Sequence, residues 1–277
     1  MIATALSIAG SDPSGGAGIQ ADLKAFSARG VYGMAALTAL TAQNTTGVAG
    51  VHTVPAEFVA SQIAEVLVDV RMNAVKVGMI ANAEIARAVG GALAAVTCPI
   101  VVDPVMVAKG GAPLLEPSAV DAVREALLPR ATLLTPNLPE AAHLLGAPVA
   151  ENRDQIAVQA AALLALGPRA VLVKGGHLTG DDSPDLLMTR SGANWIDAPR
   201  IETANTHGTG CSLSSGIAAE LAKGAELTDA VRTAKAWLSG AIVAADTLDI
   251  GQGHGPVHHF HALWPVAAAS IPKRTDA

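Results

Sequence analysis

A parallel α/β architecture is what this sequence predicts, and three observations carry the prediction. Hydrophobic residues make up 51% of the 277 while aromatics are only 3%, so a core must be built from Ala, Val, Leu and Ile, the composition of parallel strands covered by helices. Short apolar runs alternate with helical patterns from end to end, which argues a mainly parallel sheet with helices on both faces. Polar, glycine-rich and acidic segments fall where those runs end, the position at which open α/β sheets place ligands. With no internal repeat and no low-complexity linker, residues 1–270 are expected to form one domain and Ile271–Ala277 a frayed terminus.

Charge and composition narrow the function. The net charge is −6, there is no basic run, and few aromatic rings are present for bases to stack on, so nucleic acid is excluded as an expected partner. Cys98 and Cys211 lie far apart and outside any Cys-x-x-Cys spacing. Neither a disulfide framework nor a zinc site is indicated, and a reducing cytoplasm is the expected compartment. Met1 to Gly10 lacks the pattern of a signal peptide. The uncharged run from Gly30 to Ala56 carries Thr41, Gln43, Asn44, Thr45 and Thr46, which argues against a membrane span.

In order along the chain, Thr4 to Ala9 reads as a buried first strand, and Gly10 to Gly18 as a glycine-rich turn into a helix through Ile19, Leu23 and Phe26. The turn is neither a P-loop nor a Gly-x-Gly-x-x-Gly fingerprint. Asp22, one turn into the helix, reads equally as a solvated carboxylate or a substrate ligand. Gly33 to Thr41 is expected as a strand running into a polar loop at Ala42–Gly47, followed by a strand over Val48 to Val54 and a helix opened by Pro55. Gln43 and Asn44 fall at a strand's carboxyl end, as ligand contacts or as ordinary turn residues. Val75 to Met79 is the next strand, and Asn82 caps the helix after it. Pro99 to Met106 places Asp103 at a strand end, where a carboxylate can serve a hydrated magnesium ion. Lys109-Gly110-Gly111 begins a flexible loop. Ala131 to Thr135 is a strand whose following turn holds Asn137 and Glu140, as cap and dipole-friendly carboxylate or as metal and phosphate ligands. Asn152 to Leu166 is helical, Ala170 to Lys174 a strand, and Asp185 to Arg190 with Asn194 to Ala198 a hairpin. Two long helices, Cys211 to Lys223 and Leu227 to Thr247, precede a histidine-rich tail. His258 and His261 there lack the carboxylate pattern of a metal site.

The stretch Asn205-Thr206-His207-Gly208-Thr209-Gly210-Cys211-Ser212 carries the sharpest chemistry. Leu213, Ile217 and Leu221 have helical spacing, so a tight turn opens into a helix whose free N–H groups and dipole suit an anion such as phosphate. In that first turn Cys211 is expected to have a lowered pKa, the alternative being a glycine-assisted helix start with a small buried cysteine. Acidic strand ends together with an anion site suggest phosphoryl transfer without a P-loop. Gly216 inside the same helix costs about 1 kcal/mol relative to alanine, which points to a close packing contact.

Residues Ala9 to Lys24 resemble the opening signature of the bacterial hydroxymethylpyrimidine/phosphomethylpyrimidine kinases of thiamine biosynthesis, which are ribokinase-like. The likeness continues at Thr41–Thr45, Lys76–Met79, Asp103–Met106, Thr135–Ala141, Val173–His177, Asn205–Ser212 and Gly255–His261, covering nearly the whole chain in order. The resemblance implies a three-layer α/β/α kinase that uses ATP and magnesium to phosphorylate 4-amino-5-hydroxymethyl-2-methylpyrimidine and then its monophosphate, as a cytoplasmic homodimer. It implies that Gln43 reads the aminopyrimidine edge, that Asp22 bonds the ring or its hydroxymethyl, that Gly10 adds a substrate contact, and that Met79 and Val105 pack on the ring faces. Asn137, Glu140, Thr206 and Asp103 would hold the magnesium–phosphate end, with Glu140 and Asp103 toward the metal, while Lys174 neutralises phosphate charge. Gly208, Thr209 and Gly210 would form the anion hole, and Cys211 would stand as base where most ribokinase-like enzymes have an aspartate. Pyridoxal kinases share the pattern and provide the second reading. A pyrimidine-binding protein without catalysis would have lost the chemical residues, and Cys211, Lys174, Asn137 and Glu140 are all present.

Overall fold

The computed structural model describes residues 1–107, 111, 114–116 and 118–264. Lys109 and Gly110 of the predicted loop lie outside the described residues, as do 265–270 and the predicted frayed terminus 271–277. In chain order the strands are β1 (Thr4–Ser11), β2 (Tyr32–Asn44), β3 (Gly47–Thr53), β4 (Ala74–Val77), β5 (Ile100–Val102), β6 (Leu133–Leu134), β7 (Ala170–Lys174), β8 (Asp185–Thr189) and β9 (Gly192–Ile196). The helices are α1 (Gly18–Ala28), α2 (Ala56–Asp69), α3 (Ala83–Ala92), α4 (Ala119–Ala126), α5 (Leu138–Leu145), α6 (Arg153–Leu164), α7 (Thr209–Ala222) and α8 (Leu227–Val243).

The strands form one sheet in the order β3-β2-β1-β4-β5-β6-β7-β8-β9. Pairing is parallel from β2 through β7 and antiparallel for β3, β8 and β9 at the two edges. Alternation along each strand divides the interior in two. Leu6, Ile8, Val75, Val77, Val102, Val171 and Val173 pack with Ile63, Ile85, Val123, Leu138 and Ile156 of α2 to α6. Ala5, Ala74, Val101, Leu133 and Leu172 pack on the opposite face with Phe26, Ile217 and Ala234 of α1, α7 and α8. This is the sheet with helices on both faces that the alternation of strands and helices predicts, and the three-layer form that the resemblance implies.

Local chemistry sets most boundaries. The side chains of Asn82, Asn137 and Asn152 each accept the backbone N–H three residues on and so cap α3, α5 and α6. Gly216 lies where α7 meets α8: a Cβ there would stand 3.2 Å from the Trp237 ring, which accounts for a glycine inside the helix. Three expectations differ. The strand predicted to stop at Thr41 continues to Asn44, because β3 pairs with it beyond that point across a register shift at Ala42/Gln43; the turn is confined to Asn44–Gly47, where Asn44 accepts from the Thr46 and Gly47 N–H groups. The strand after Asn73 ends at Val77, so Gly78 and Met79 belong to the loop above it. The last long helix ends at Val243, and a single 3₁₀ turn, Ala245–Thr247, completes the predicted span. Among the described residues no helix is long and apolar enough to cross a membrane.

Candidate active site

A cavity of about 700 Å³ opens above the carboxyl ends of the central strands, against the start of α7. Its walls include Gly10, Gln43, Met79, Asp103, Val105, Asn137, Glu140, Lys174, Thr206, Gly208, Thr209, Gly210 and Cys211. Of the predicted site residues only Asp22 is absent from them. A second cavity of about 310 Å³ shares Asn137, Lys174, Thr206, Thr209 and Gly210 with the first and adds Arg200, Ile201, Leu238 and Ile242.

The strand pleat explains why the charges converge. Counting by twos from Ala5, Ala74, Val101, Leu133 and Leu172, the positions that face α1 and α7 nearest the cavity are Ser7, Lys76, Asp103, Thr135 and Lys174. Two buried ion pairs result. Lys76 Nζ lies 2.9 Å from Asp22 Oδ2 with both side chains fully enclosed, and Ser7 and Ser215 donate to the same carboxylate at 2.6 Å each. Lys174 Nζ lies 2.8 Å from Asp103 Oδ1, with Lys174 13% exposed to the cavity, and Thr135 and Ser214 donate to Asp103 at 3.2 and 3.3 Å. Burial alone would strip the proton from Lys76, but the facing Asp22 carboxylate holds it on, above the ordinary lysine range. Lys174 is likewise raised, burial being outweighed by Asp103 and Glu140. Asp103 is held below the ordinary carboxylate value although burial opposes this, because Lys174 and Lys76 face it.

Asp22 therefore stands differently from its expectation. Its carboxylate accepts from Ser7, Ser215 and Lys76 beneath the cavity floor, and α7 covers it. A helix carboxylate that reads as solvated from spacing is sealed because it points into the seam where α1 and α7 pack side by side on the sheet.

At the start of α7, Gly208 adopts the left-handed conformation, with φ 76°, and no side chain caps the helix. A side chain at 208 would overlap the Gly16 carbonyl, so the close approach of the two glycine-rich loops requires glycine. Gly208, Thr209 and Gly210 line the cavity, so an anion there would meet the open start of α7. Cys211 departs from the sequence expectation. Burial pushes its thiol up to about 11; Lys76 and the Gly18 N–H pull down, and Asp22 and Asp103 push up further. Burial and the Asp22 and Asp103 carboxylates thus oppose the helix start at this thiol, which keeps a partly exposed face toward the cavity.

Asn137 and Glu140 form a reciprocal capping box at α5: Asn137 Oδ1 accepts the Glu140 N–H and Glu140 Oε2 accepts the Asn137 N–H, both at 2.8 Å. Both also line the cavity, so cap and ligand readings coexist. Burial raises Glu140 to about 7, with Lys174 opposing and Asp103 adding to the rise. Across the cavity, His207 Nε2 lies 2.7 Å from Asp12 Oδ2. A carboxylate only accepts, so this nitrogen carries the proton. Burial would raise Asp12, but hydrogen bonds from His207 and Ser14 bring it down to about 2. Gln43 lies at the edge of that pair, its Nε2 3.4 Å from His207 Nε2.

Lys76, Asp12, His207, Ser214 and Ser215 belong to the site and were given no role from the sequence. Lys76 had a readable signal: a lone charge in an apolar strand of a parallel sheet must be paired. Nothing local marks the serines. Among the described residues no group of three or more His, Cys, Asp or Glu is arranged to hold a metal, His258 and His261 included.

The phosphomethylpyrimidine kinase family model matches residues 12–258. The hydroxymethylpyrimidine/phosphomethylpyrimidine kinase of Escherichia coli is 54% identical over 261 residues, covering 94% of this chain and 98% of its own. Among solved structures, an ADP complex of Bacillus subtilis pyridoxal kinase superposes with a TM-score of 0.87 at 36% identity, covering 95% of this chain and 99% of that one. The phosphomethylpyrimidine kinase from Clostridium difficile gives 0.77 at 42% identity, covering 87% and 100%. A sheet of this order, its charges gathered under one helix start, and agreement over nearly the full length lead to one assignment: the chain belongs to the phosphomethylpyrimidine kinase family.

Proposed function

We propose that this chain is an ATP-dependent kinase that phosphorylates the hydroxymethyl group of 4-amino-5-hydroxymethyl-2-methylpyrimidine and then the resulting monophosphate. The observation that carries the reading is one continuous wall on which an amide, Gln43, and two apolar side chains, Met79 and Val105, share a cavity with Cys211 and the open start of α7. An amide offers a donor and an acceptor side by side, matching an aminopyrimidine edge, and the apolar pair suits the ring faces. The adjoining smaller cavity, with Ile201, Leu238 and Ile242 on one side and Lys174 and Gly210 on the other, suits a nucleotide base and its phosphates.

For magnesium, the donor set fits an ion that keeps most of its water. The carboxylates at hand are Glu140 and Asp103, and Asp103 is already paired with Lys174. Magnesium binds through one or two carboxylates plus phosphate oxygens, so Glu140 and Asp103 would hold it, and it would supply neutralisation of phosphate charge. Lys174 and the N–H groups of Gly208, Thr209 and Gly210 stabilise the transferred group, and Cys211 takes the hydroxyl proton as the new O–P bond forms. Burial pushes the thiol up to about 11, so Cys211 acts as base only after its own proton has left to solvent; the hydroxyl proton then passes to the thiolate as the phosphoryl group moves from ATP to the alcohol oxygen and ADP departs. Thr206 and Gly10 complete the nucleotide and substrate walls. A homodimer is supported by the exposed Leu40, Val51 and Phe58 on β2, β3 and α2 at one end of the sheet, and a cytoplasmic location by the two free cysteines.

Incubation with ATP, magnesium and the pyrimidine alcohol is expected to give mono- and diphosphate, and the absence of turnover with both alcohol and monophosphate overturns the reading. Cys211→Ala is expected to lower kcat by roughly 10²–10⁴-fold with pyrimidine affinity changed much less; equal losses would make Cys211 a packing residue. Pyridoxal phosphorylation is the second reading, supported by the likeness to the B. subtilis pyridoxal kinase. The ratio of kcat/KM on the two substrates separates them.

A further inference from the structure

Lys76 has no part in the function just proposed, yet it is fully buried and borders the same cavity as Cys211. Its surroundings are specific. β4 pairs with β1 so that Lys76 stands beside Ser7, and both point under α1 and α7. Asp22 of α1 takes two hydrogen bonds from the Lys76 ammonium at 2.9 Å. Ser215 of α7 donates to Asp22 Oδ1, and Ser215 lies four residues after Cys211, on the same helix face one turn away. The hydrogen-bonded path from β4 through α1 thus ends on α7 one turn from Cys211. Gly78 keeps the ammonium in place, since a Cβ there would stand 2.6 Å from Nζ.

We infer that Lys76 is a positioning residue acting through Cys211: locked by Asp22 and Ser215 beneath the first turns of α7, its ammonium is the fixed counter-charge toward which the thiol gives up its proton. The inference deepens the reading of Cys211 as proton acceptor and rests on it for its catalytic meaning. Four charged groups face the sulfur: Lys76 from β4, Asp22 from α1, Asp103 beyond β5 and Lys174 at the end of β7. Lys76 is the strongest of those that favour the thiolate, with the Gly18 N–H beside it. In the reaction no bond to Lys76 forms or breaks. The thiol proton leaves to solvent, the hydroxyl proton then passes to the thiolate sulfur, and the ammonium keeps its three protons.

The test is the pH dependence of iodoacetamide alkylation of Cys211 between pH 7 and 10, in a Cys98→Ser background that leaves one reactive thiol. The rate follows the thiolate fraction and does not require turnover. Lys76→Met is expected to slow alkylation about tenfold at each pH, the equivalent of about one unit in the thiol pKa, and to lower kcat while KM for the pyrimidine changes less than about threefold. Asp22→Asn removes the carboxylate that keeps Lys76 protonated, and because Lys76 acts on the thiol more strongly than Asp22 does, alkylation is expected to slow there as well. Unchanged or faster alkylation in a folded Lys76→Met or Asp22→Asn protein overturns the inference. Should Lys76→Met fail to fold, the Asp22→Asn direction alone decides. If Cys211→Ala retained full kcat while Lys76→Met still slowed alkylation, the proton-acceptor reading would fall and the coupling between Lys76 and Cys211 would stand.

Discussion

Two lysine–aspartate pairs flank the first turns of α7, and consecutive serines of that helix reach them, Ser214 to Asp103 and Ser215 to Asp22. They differ in what lies above. Lys76 and Asp22 have no solvent-accessible surface, and the Asp22 carboxylate accepts from two hydroxyls and an ammonium. Lys174 keeps a face toward the cavity, and its second carboxylate neighbour, Glu140, stands 3.9 Å away. A sealed pair with every acceptor occupied can only hold its elements together and set a local potential. An open pair with spare donors can exchange a carboxylate for a ligand's phosphate. The same two residue types thus serve architecture on one side of α7 and binding on the other, and burial decides which.

The largest expected effect falls on the sealed pair. Asp22→Ala strands a buried ammonium, and the unfolding free energy should drop by about 3–5 kcal/mol; a urea titration showing a loss below about 1 kcal/mol would erase the distinction. Lys174→Met should do the reverse, costing roughly 10²–10³-fold in kcat/KM with a smaller loss of stability than Asp22→Ala. If its denaturation midpoint fell as far as that of Asp22→Ala, the open pair would be architectural too.

The third expectation concerns mild acid. Both lysines are held above their ordinary values, so neither loses its proton in that range, and the loss of stability there should come from elsewhere. His259 is the candidate. Burial, with Lys24 and His258 nearby, lowers it to about 3, and its Nε2 lies 2.8 Å from Ser212 Oγ in the first turn of α7. The folded protein keeps this imidazole neutral while the unfolded chain takes up a proton near its ordinary 6.5. Its stabilising contribution is therefore complete above pH 6.5 and lost as pH falls toward about 3, at about 1.4 kcal/mol per pH unit. Glu140, raised to about 7, has the opposite trend in the same range, so the His259 contribution is read as a difference: from pH 7 to 4 the wild type should lose stability relative to His259→Phe by up to this slope, and identical slopes would return attention to the ion pairs. The smallest effect separates the serines. Ser215→Ala should cost about 1.5–3 kcal/mol, the value of a buried hydrogen bond to a charge. Ser214 divides one proton among Asp103, Gly210 O and Cys211 O, so Ser214→Ala should cost about 1 kcal/mol or less.

These residues also mark how far the sequence could be read. The strands, the capping asparagines 82 and 137, the glycine-rich turn before α7 and the meeting of Gln43, Asn137, Lys174 and Cys211 at one end of the sheet were all legible, because each rests on periodicity, capping chemistry or strand-end position. Asp22 was not, since i and i+4 spacing tells which face of α1 it occupies and nothing of what covers that face. The Cys211 thiol differs from its expectation for a related reason: its place in the first turn is local, whereas its burial and the carboxylates of Asp22 and Asp103 that raise it come from segments distant in the chain.

By itself, then, the sequence determined the alternation of strands and helices, the turn that opens α7 and the chemical identities brought to it, since these follow from neighbours a few residues apart. Tertiary structure alone decided which lysine faces solvent, which aspartate is spent as an anchor, and where the thiol sits relative to both. Those outcomes depend on how many layers of chain lie over each charge, and the low-dielectric interior that gives a buried charge its cost and its leverage exists only once distant segments have packed.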